Sequence, residues 1–440
     1  MVRGAKSTLV LLVVLIGLGA YIFFVDSKKP VGDTERKEKA FAGIKSDDIE
    51  ELEIKSEMGE HSRLRKSDGN WKLVEPVMAD SDASELSSIT SSLPDLEIQR
   101  TVEEAPADLK KYGLDPARVE VSFREKGKKD DHHLFLGDKT PTGNEVYART
   151  QDKKRVILLS SATEGTFNKN TFALRDKAVL KFDRDKVTGL ELTNASGTTQ
   201  FAKSGNEWKL VKPIAARADF GVVESILERL HSLQMQSIVA ADGSSDLKKY
   251  GLDKPTATIN VNADSARATL LLGSTENAVV NARDASRPLV FALAPTITTD
   301  VFRPLGDMRR KDLFDSRAFT TTHIEFHRGQ ESMAFDKSKG KDEKEIWKNS
   351  AGKEVDAMKM EDLLNRVTGL RADSFEATAP AALKTPALTV TVRFDDGKME
   401  TVTFARDGTN VLAGRADEPG AAKLMAMAFD DAMKALDAMK

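Results

Sequence analysis

The chain has 440 residues, 31% of them charged and 40% hydrophobic, with a formal net charge of −3. So even a balance excludes a global basic field for nucleic acid and a single-signed field for acidic substrates. With no cysteine, disulfides, thiolate metal sites, cysteine nucleophiles and a lipidated N-terminal cysteine are excluded as well.

Arg3 and Lys6 precede an unbroken apolar run over residues 8–25, closed by Asp26 and Lys28-Lys29. At helical rise such a run spans roughly 27 Å, close to the hydrocarbon thickness of a bilayer. The sequence therefore predicts a cytoplasmic tail at 1–7, a transmembrane helix at 8–25 and a polar juxtamembrane linker at 26–43. The short basic tail favours an inner-membrane, single-pass orientation with the bulk of the chain in the periplasm or otherwise outside the cytoplasm, although Lys28 and Lys29 weaken that bias. A cleavable signal peptide, cut after Gly17 or Gly19, is the alternative. Tyr21-Ile22-Phe23-Phe24-Val25 prolongs the apolar stretch past that point and favours an uncleaved anchor.

Beyond the linker the chain repeats itself. Asp108-Leu109-Lys110-Lys111-Tyr112-Gly113-Leu114-Asp115 returns letter for letter as Asp246 to Asp253. Trp71, Trp208 and Trp347 recur at about 140 residues, far beyond the roughly 20–50 of solenoid repeats, so each unit is expected to be a small domain. The expected units are repeat 1 at 44–185, repeat 2 at 186–318 and a degenerate repeat 3 at 319–440.

Each unit opens on a β-meander. Ile49 to Ile54, His61 to Lys66 and Trp71 to Glu75 alternate between turns, as do Val187 to Leu192, Thr199 to Lys203 and Trp208 to Lys212. Pro76 and Pro213 end the third strand. A helix follows, capped at Asp80 or Asp82 and at Asp219, with Val222, Val223, Ile226, Leu227, Leu230 and Leu233 at helical spacing. The octet then forms a turn stopped at Gly113 or Gly251. Further strands are expected to end at Leu136-Gly137 and Leu272-Gly273, and the units to close at Leu174 to Lys177 and at Met308 to Lys311. Repeat 3 keeps the meander and a helix from Asp356 to Leu370, but has Ala381 to Pro386 in the octet's place. It finishes on a helix with Met425, Phe429, Met433, Leu436 and Met439 along a core face. The fold class is α+β: three tandem, mainly antiparallel sheets, each with one or two helices, behind a transmembrane helix.

Trp71 to Pro76, Lys111 to Pro116, their second-copy counterparts and the Leu-Gly pairs resemble the bacterial family called domain of unknown function 4340. That resemblance implies a single-span envelope protein, in some members encoded beside gliding-type ABC transporter components, and brings no assigned activity.

Chemistry is sparse. There is no G-x-S-x-G elbow and no phosphate-cradling glycine motif. His323-Ile324-Glu325-Phe326-His327 puts three possible ligands on one strand face, though residues two apart on a flat strand converge poorly on a metal. His132-His133 follows Lys128-Lys129-Asp130-Asp131, which reads as a hairpin tip. The octet offers Tyr112 and Tyr250 as an aromatic platform with Asp115 and Asp253 as acceptors, against a structural reading in which the tyrosine packs on the sheet and the aspartate braces the turn. No catalytic, metal or cofactor-binding residue is expected. The expectation is a non-enzymatic, protein-binding accessory or scaffold of a membrane transporter complex, partnered by the inner membrane and other envelope proteins and not by nucleic acid. The alternative is a module for a cell-envelope glycan or small ligand.

Overall fold

Segments of alternating polarity become strands, and each of the three copies closes on its own antiparallel sheet. The computed structural model describes residues 38–151, 153–241, 246–340, 343–395 and 397–440. The expected tail at 1–7, the anchor at 8–25 and the linker up to 37 lie outside the described residues. Among the described residues no helix is long and apolar enough to cross a membrane. The chain divides into two compact units, one ending at Lys177 and one spanning Ala178–Lys440.

In the first unit β1 (Ile49–Lys55), β2 (His61–Ser67), β3 (Asn70–Glu75) and the short β4 (Ala79–Asp80) step outward. Helix α1 (Ala83–Ser92) then carries the chain to β5 (Arg100–Glu103) at the opposite edge. The chain returns to the centre, placing β6 (Val119–Glu125) beside β1, and β7 (His132–Lys139), β8 (Glu145–Thr150) and β9 (Val156–Ser160) run out to meet β5. Short helices α2 (Ala162–Phe167) and α3 (Thr171–Leu174) follow. Helix α1 starts where Asp82 accepts from the backbone N–H groups of Ser84 and Glu85 at 3.1 and 3.2 Å, satisfying donors the first turn leaves unpaired. Its Leu86 and Ile89 bury against Leu52, Ile54, Leu64, Val121, Phe123 and Leu136 on the inner sheet face. Each such side chain contributes roughly 1.5–3 kcal/mol of burial.

The second unit repeats that plan twice. Its first sheet holds β10 (Val187–Asn194), β11 (Gly197–Ser204), β12 (Glu207–Lys212), β13 (Ala216–Arg217), β14 (Ser237–Ala240), β15 (Ala257–Ala263), β16 (Ala266–Glu276), β17 (Val279–Asp284) and β18 (Val290–Leu293). Helix α4 (Phe220–His231) lies between β13 and β14, and α5 (Thr296–Val301) and α6 (Leu305–Met308) follow β18. The third sheet holds β19 (Thr321–Arg328), β20 (Glu331–Lys339), β21 (Glu345–Asn349), β22 (Ser374–Glu376), β23 (Leu388–Phe394), β24 (Lys398–Asp407), β25 (Asn410–Arg415) and β26 (Ala421–Leu424), with α7 (Ala357–Thr368) before β22 and α8 (Ala426–Asp437) at the end. The strand orders correspond position by position, β13-β12-β11-β10-β15-β16-β17-β18-β14 and β21-β20-β19-β23-β24-β25-β26-β22. The degenerate third copy thus keeps the topology, with a single bridge between Lys348 and Glu354 where the others have a two-residue edge strand.

Four expectations change. Residues 38–43 belong to the folded unit rather than the linker: Ala40 N–H donates to the Leu96 carbonyl at 2.8 Å, and the buried Phe41 ring meets Phe123 edge-on at 5.0 Å. The Leu-Gly pairs do not end their strands; β7 and β16 continue through a register shift after Leu136 and Leu272. Segments that follow each closing element pack into the next copy. Val179 N–H bonds Leu233, Leu313 N–H bonds Leu370, and Leu313 and Phe314 join the third core, ahead of the expected start at 319. Met425 caps α8 at 64% exposure and is no core residue, while Phe429 and Leu436 are buried as expected.

Strands β9 and β18 carry no alternation, because their Val156 to Leu159 and Val290 to Leu293 are buried on both faces. Trp208 and Trp347 are buried and Trp71 is partly so.

Candidate binding surface on the outer face of the first sheet

The octet explains the second covering of β9. Helix α1 occupies the inner face, whereas the octet's Tyr112 and Leu114 lie on the outer face with Leu109, Phe135, Tyr147 and Val156. A 3₁₀ turn over Lys110–Tyr112 ends at Gly113 with φ +65°, a backbone conformation that glycine adopts without a Cβ penalty. Asp108 accepts from Lys110 N–H at 2.9 Å. The bracing aspartate is therefore the first of the octet, and Asp115 and Asp253 stand exposed.

Tyr112 is 8% exposed, so it forms no open platform. Its hydroxyl donates to Glu103 at 2.7 Å, its ring meets Tyr147 at 4.9 Å, and the Lys111 ammonium sits 4.7 Å from the ring centre. The hydrogen bond to Glu103 pushes the phenol above its ordinary range, and Lys111 and Tyr112 together hold the Glu103 carboxyl below its own. In the second copy Tyr250 is half-buried, with Lys249 5.5 Å from its ring centre. The structure places Tyr112 and Asp115 in the first unit and Tyr250 and Asp253 in the second.

What the octet covers differs between copies. Across β7 and β8, Phe135 stands directly opposite Arg149, whose guanidinium lies 4.5 Å from the ring centre. His133 stacks parallel to Phe135 at 6.0 Å and is held by Ser122 at 2.7 Å. The matching pair in the second copy is Leu271 opposite Arg283, and in the third Thr403 opposite Gly414. Tyr147 corresponds to Asn281 and Leu412. Identical octets therefore rest on non-identical faces, and the aromatic strip belongs to the first copy.

Elsewhere the outer face of the first sheet is a lattice of mutual ion pairs: Glu53 with Arg63, Arg63 with Glu75, Glu51 with Arg65, and Lys55 with Glu120, each within 3.1 Å. Such exposed pairs contribute little stability individually, but they leave few charges available to a ligand.

The other unforeseen constellation lies within the second unit. Glu418 joins Arg309 at 2.9 Å and also pairs with Arg217; Arg217 pairs with Asp315 at 2.7 Å, and Arg415 with Glu400 at 2.8 Å. Glu400 also accepts from the backbone N–H groups of Asp315 and Ser316. Glu418 and Arg309 are 7% and 5% exposed, so the pairs work at low effective dielectric. Burial opposes ionisation of Asp315, but Arg217, Arg310 and Arg415 outweigh it and hold the carboxyl below its ordinary range. The Arg309 guanidinium also lies 3.9 Å from the centre of Phe375. Beside this lock an open cleft of about 360 Å³ is lined by Trp208, Arg217, Phe220 and Asp312 among others, with Phe220 53% exposed. Arg310 pairs locally, with Asp315 at 2.6 Å, whereas the partner of Arg309, Glu418, lies 109 residues away, beyond any local signal.

Of the three candidate ligands His327 and Glu325 meet each other at 3.0 Å, while His323 turns to Asp336 at 2.7 Å. No group of three potential ligands converges on a metal position among the described residues. His132 and His133 begin β7, directly after the hairpin connection at 126–131 that joins it to β6.

A family model described as "Domain of unknown function (DUF4340)" matches residues 71–209 and again 208–389. No curated protein matches the sequence. Two solved structures from Pseudomonas aeruginosa align with it: a DNA polymerase sliding clamp with ligand and a DnaN sliding clamp (DNA polymerase III subunit beta) bound to griselimycin. The first is 8% identical, with 88% of this chain and 93% of that chain covered and a TM-score of 0.16. The second is 9% identical, with 88% and 92% covered and a TM-score of 0.15. Neither likeness bears on the reading that follows.

Proposed function

We propose, from the premise that the chain belongs to the family described as Domain of unknown function (DUF4340), that it is a membrane-anchored, extracytoplasmic scaffold. In this reading it is non-enzymatic and docks other proteins as an accessory of a gliding-type ABC transporter complex. Residues 8–25 tether it to the bacterial inner membrane and the modules work in the periplasm. The observation that carries the reading is the Arg217–Glu418–Arg309 lock. A buried ion-pair cluster between two tandem modules makes one unit of them, and a scaffold needs its docking faces held in fixed register. Internal pairing of charges across the first outer sheet face supports the same role, since it leaves a broad surface with few committed ligand groups.

Crosslinking the tagged full-length chain in its membrane and identifying the co-purifying chains tests this. An ABC-type permease and ATPase are the expected partners. Recovery of the chain alone or with wall polymer overturns the proposal and favours a second reading, a glycan or small-ligand module, for which the cleft beside Trp208 and Phe220 is the natural site.

A further inference from the structure

Among the described residues most arginine side chains pair with an oxygen, the exposed Arg100 and Arg393 aside. On the first sheet Arg63, Arg65, Arg118 and Arg124 each meet a carboxylate, and in the second copy Arg283, the counterpart of Arg149, donates to the Arg287 carbonyl at 2.8 Å. Arg149 departs from that habit. It is half-buried on the outer face, its Nε is shielded from solvent with no hydrogen-bond partner, and its one described contact is the Phe135 ring. A guanidinium stacked on a ring is fixed in plane, and its free edge presents parallel N–H donors to an incoming carboxylate.

We propose that Arg149 is the anion-recognition residue of a docking site for an acidic segment of a partner protein, flanked by Phe135, Tyr147 and His133. The inference deepens the scaffold reading and rests on it. Two observations favour a carboxylate-bearing polypeptide. The positive charge, with no carboxylate partner and its Nε closed off from solvent, calls for a negative complement at the remaining edge of the guanidinium. Tyrosine and arginine on a partly buried patch match the chemistry of residues that dominate protein–protein contacts. The site is confined to the first copy, where the matching residues Leu271 and Asn281 of the second copy provide no ring.

The test uses the full-length chain in nanodiscs and two labelled peptides, one carrying four glutamates and one carrying four glutamines in an otherwise identical sequence, followed by fluorescence anisotropy. The glutamate peptide is expected to bind and the glutamine peptide to bind far more weakly. Arg149→Gln should weaken the glutamate peptide roughly 10- to 100-fold, the span of one charge-assisted contact. Arg149→Lys, which keeps the charge and loses the fork, should fall between. Arg283→Gln should leave binding unchanged. Equal binding of both peptides, no binding, or indifference to Arg149→Gln and Arg149→Lys overturns the site. Free acetate competing as well as the glutamate peptide would also overturn it, by showing a generic anion site. Arg149-dependent peptide binding without co-purifying transporter chains would retain the site and remove the scaffold role; co-purification unaffected by Arg149→Gln would do the reverse.

Discussion

A Cβ placed on Gly137 would stand 2.0 Å from the backbone carbonyl oxygen of Tyr112, and one on Gly273 would stand 2.1 Å from that of Tyr250. The two motifs that recur most faithfully, the octet and the Leu-Gly pair, are therefore the two halves of one contact. The octet's backbone lies directly on the strand, and only glycine leaves room for it. Gly137→Ala is expected to cost about 1–3 kcal/mol, as overpacking does, and to release the octet. Denaturant unfolding should show the first cost, and faster amide exchange over residues 108–115 the second. Gly165→Ala serves as the opposite control. Gly165 lies inside α2 with nothing within 4 Å of its added Cβ, so alanine should stabilise by about 0.5–1 kcal/mol.

The lock between the second and third modules makes its own prediction. Glu418→Ala leaves the buried Arg309 guanidinium without its carboxylate, a change that typically costs about 3–5 kcal/mol. Adding Arg309→Met should recover part of that loss, because an uncharged side chain no longer needs a counter-ion. Urea unfolding of the single and double variants checks the sign. A transition that splits in Glu418→Ala would show directly that the ion pairs couple the two modules.

Acid should weaken the first unit through Asp82. Burial pushes this carboxyl up, but Lys177 at 2.8 Å together with Ser84 and the Glu85 N–H outweighs it and holds the group at about 2. Its folded value lies below its ordinary one, so the stabilisation is present above the ordinary carboxylate range and is lost as pH falls from about 4 through about 2. The difference corresponds to about 2 kcal/mol. Glu38, held at about 2 by Arg155 and Lys153, titrates in the same window, so the informative comparison is with Asp82→Asn. That variant should be less stable at neutral pH and show a shallower loss on acidification in denaturation curves.

The last helix separates real core positions from apparent ones. Phe429→Ala should cost about 3–5 kcal/mol, since Phe429 is 5% exposed and packs on Phe404 at 5.2 Å. Met425→Ala, at a 64% exposed position, should stay within about 0.5 kcal/mol. Thermal unfolding of the two variants suffices to check this.

Much of the architecture is legible in the residues because it rests on local physics. Alternation marks β1, β6 and β19, helical spacing marks α4, and Asp219 and Asp356 accept from the first-turn N–H groups of their helices as N-caps should. Strands β9 and β18 escape notice for an equally local reason: buried on both faces, they have no polar alternate to reveal them. Met425 misleads because helical spacing continues past the point where the helix begins.

By itself the sequence determined the tandem organisation and the kind of element at most positions, since repetition, periodicity and capping depend on residues a few places apart. Only the tertiary structure decided that the octet is a cover for the outer sheet face, that Arg149 meets Phe135 and no carboxylate, and that Glu418 reaches Arg309 across 109 residues. Those pairings follow from strand register and module docking, which are set by the summed packing of whole faces and leave no mark at any single position.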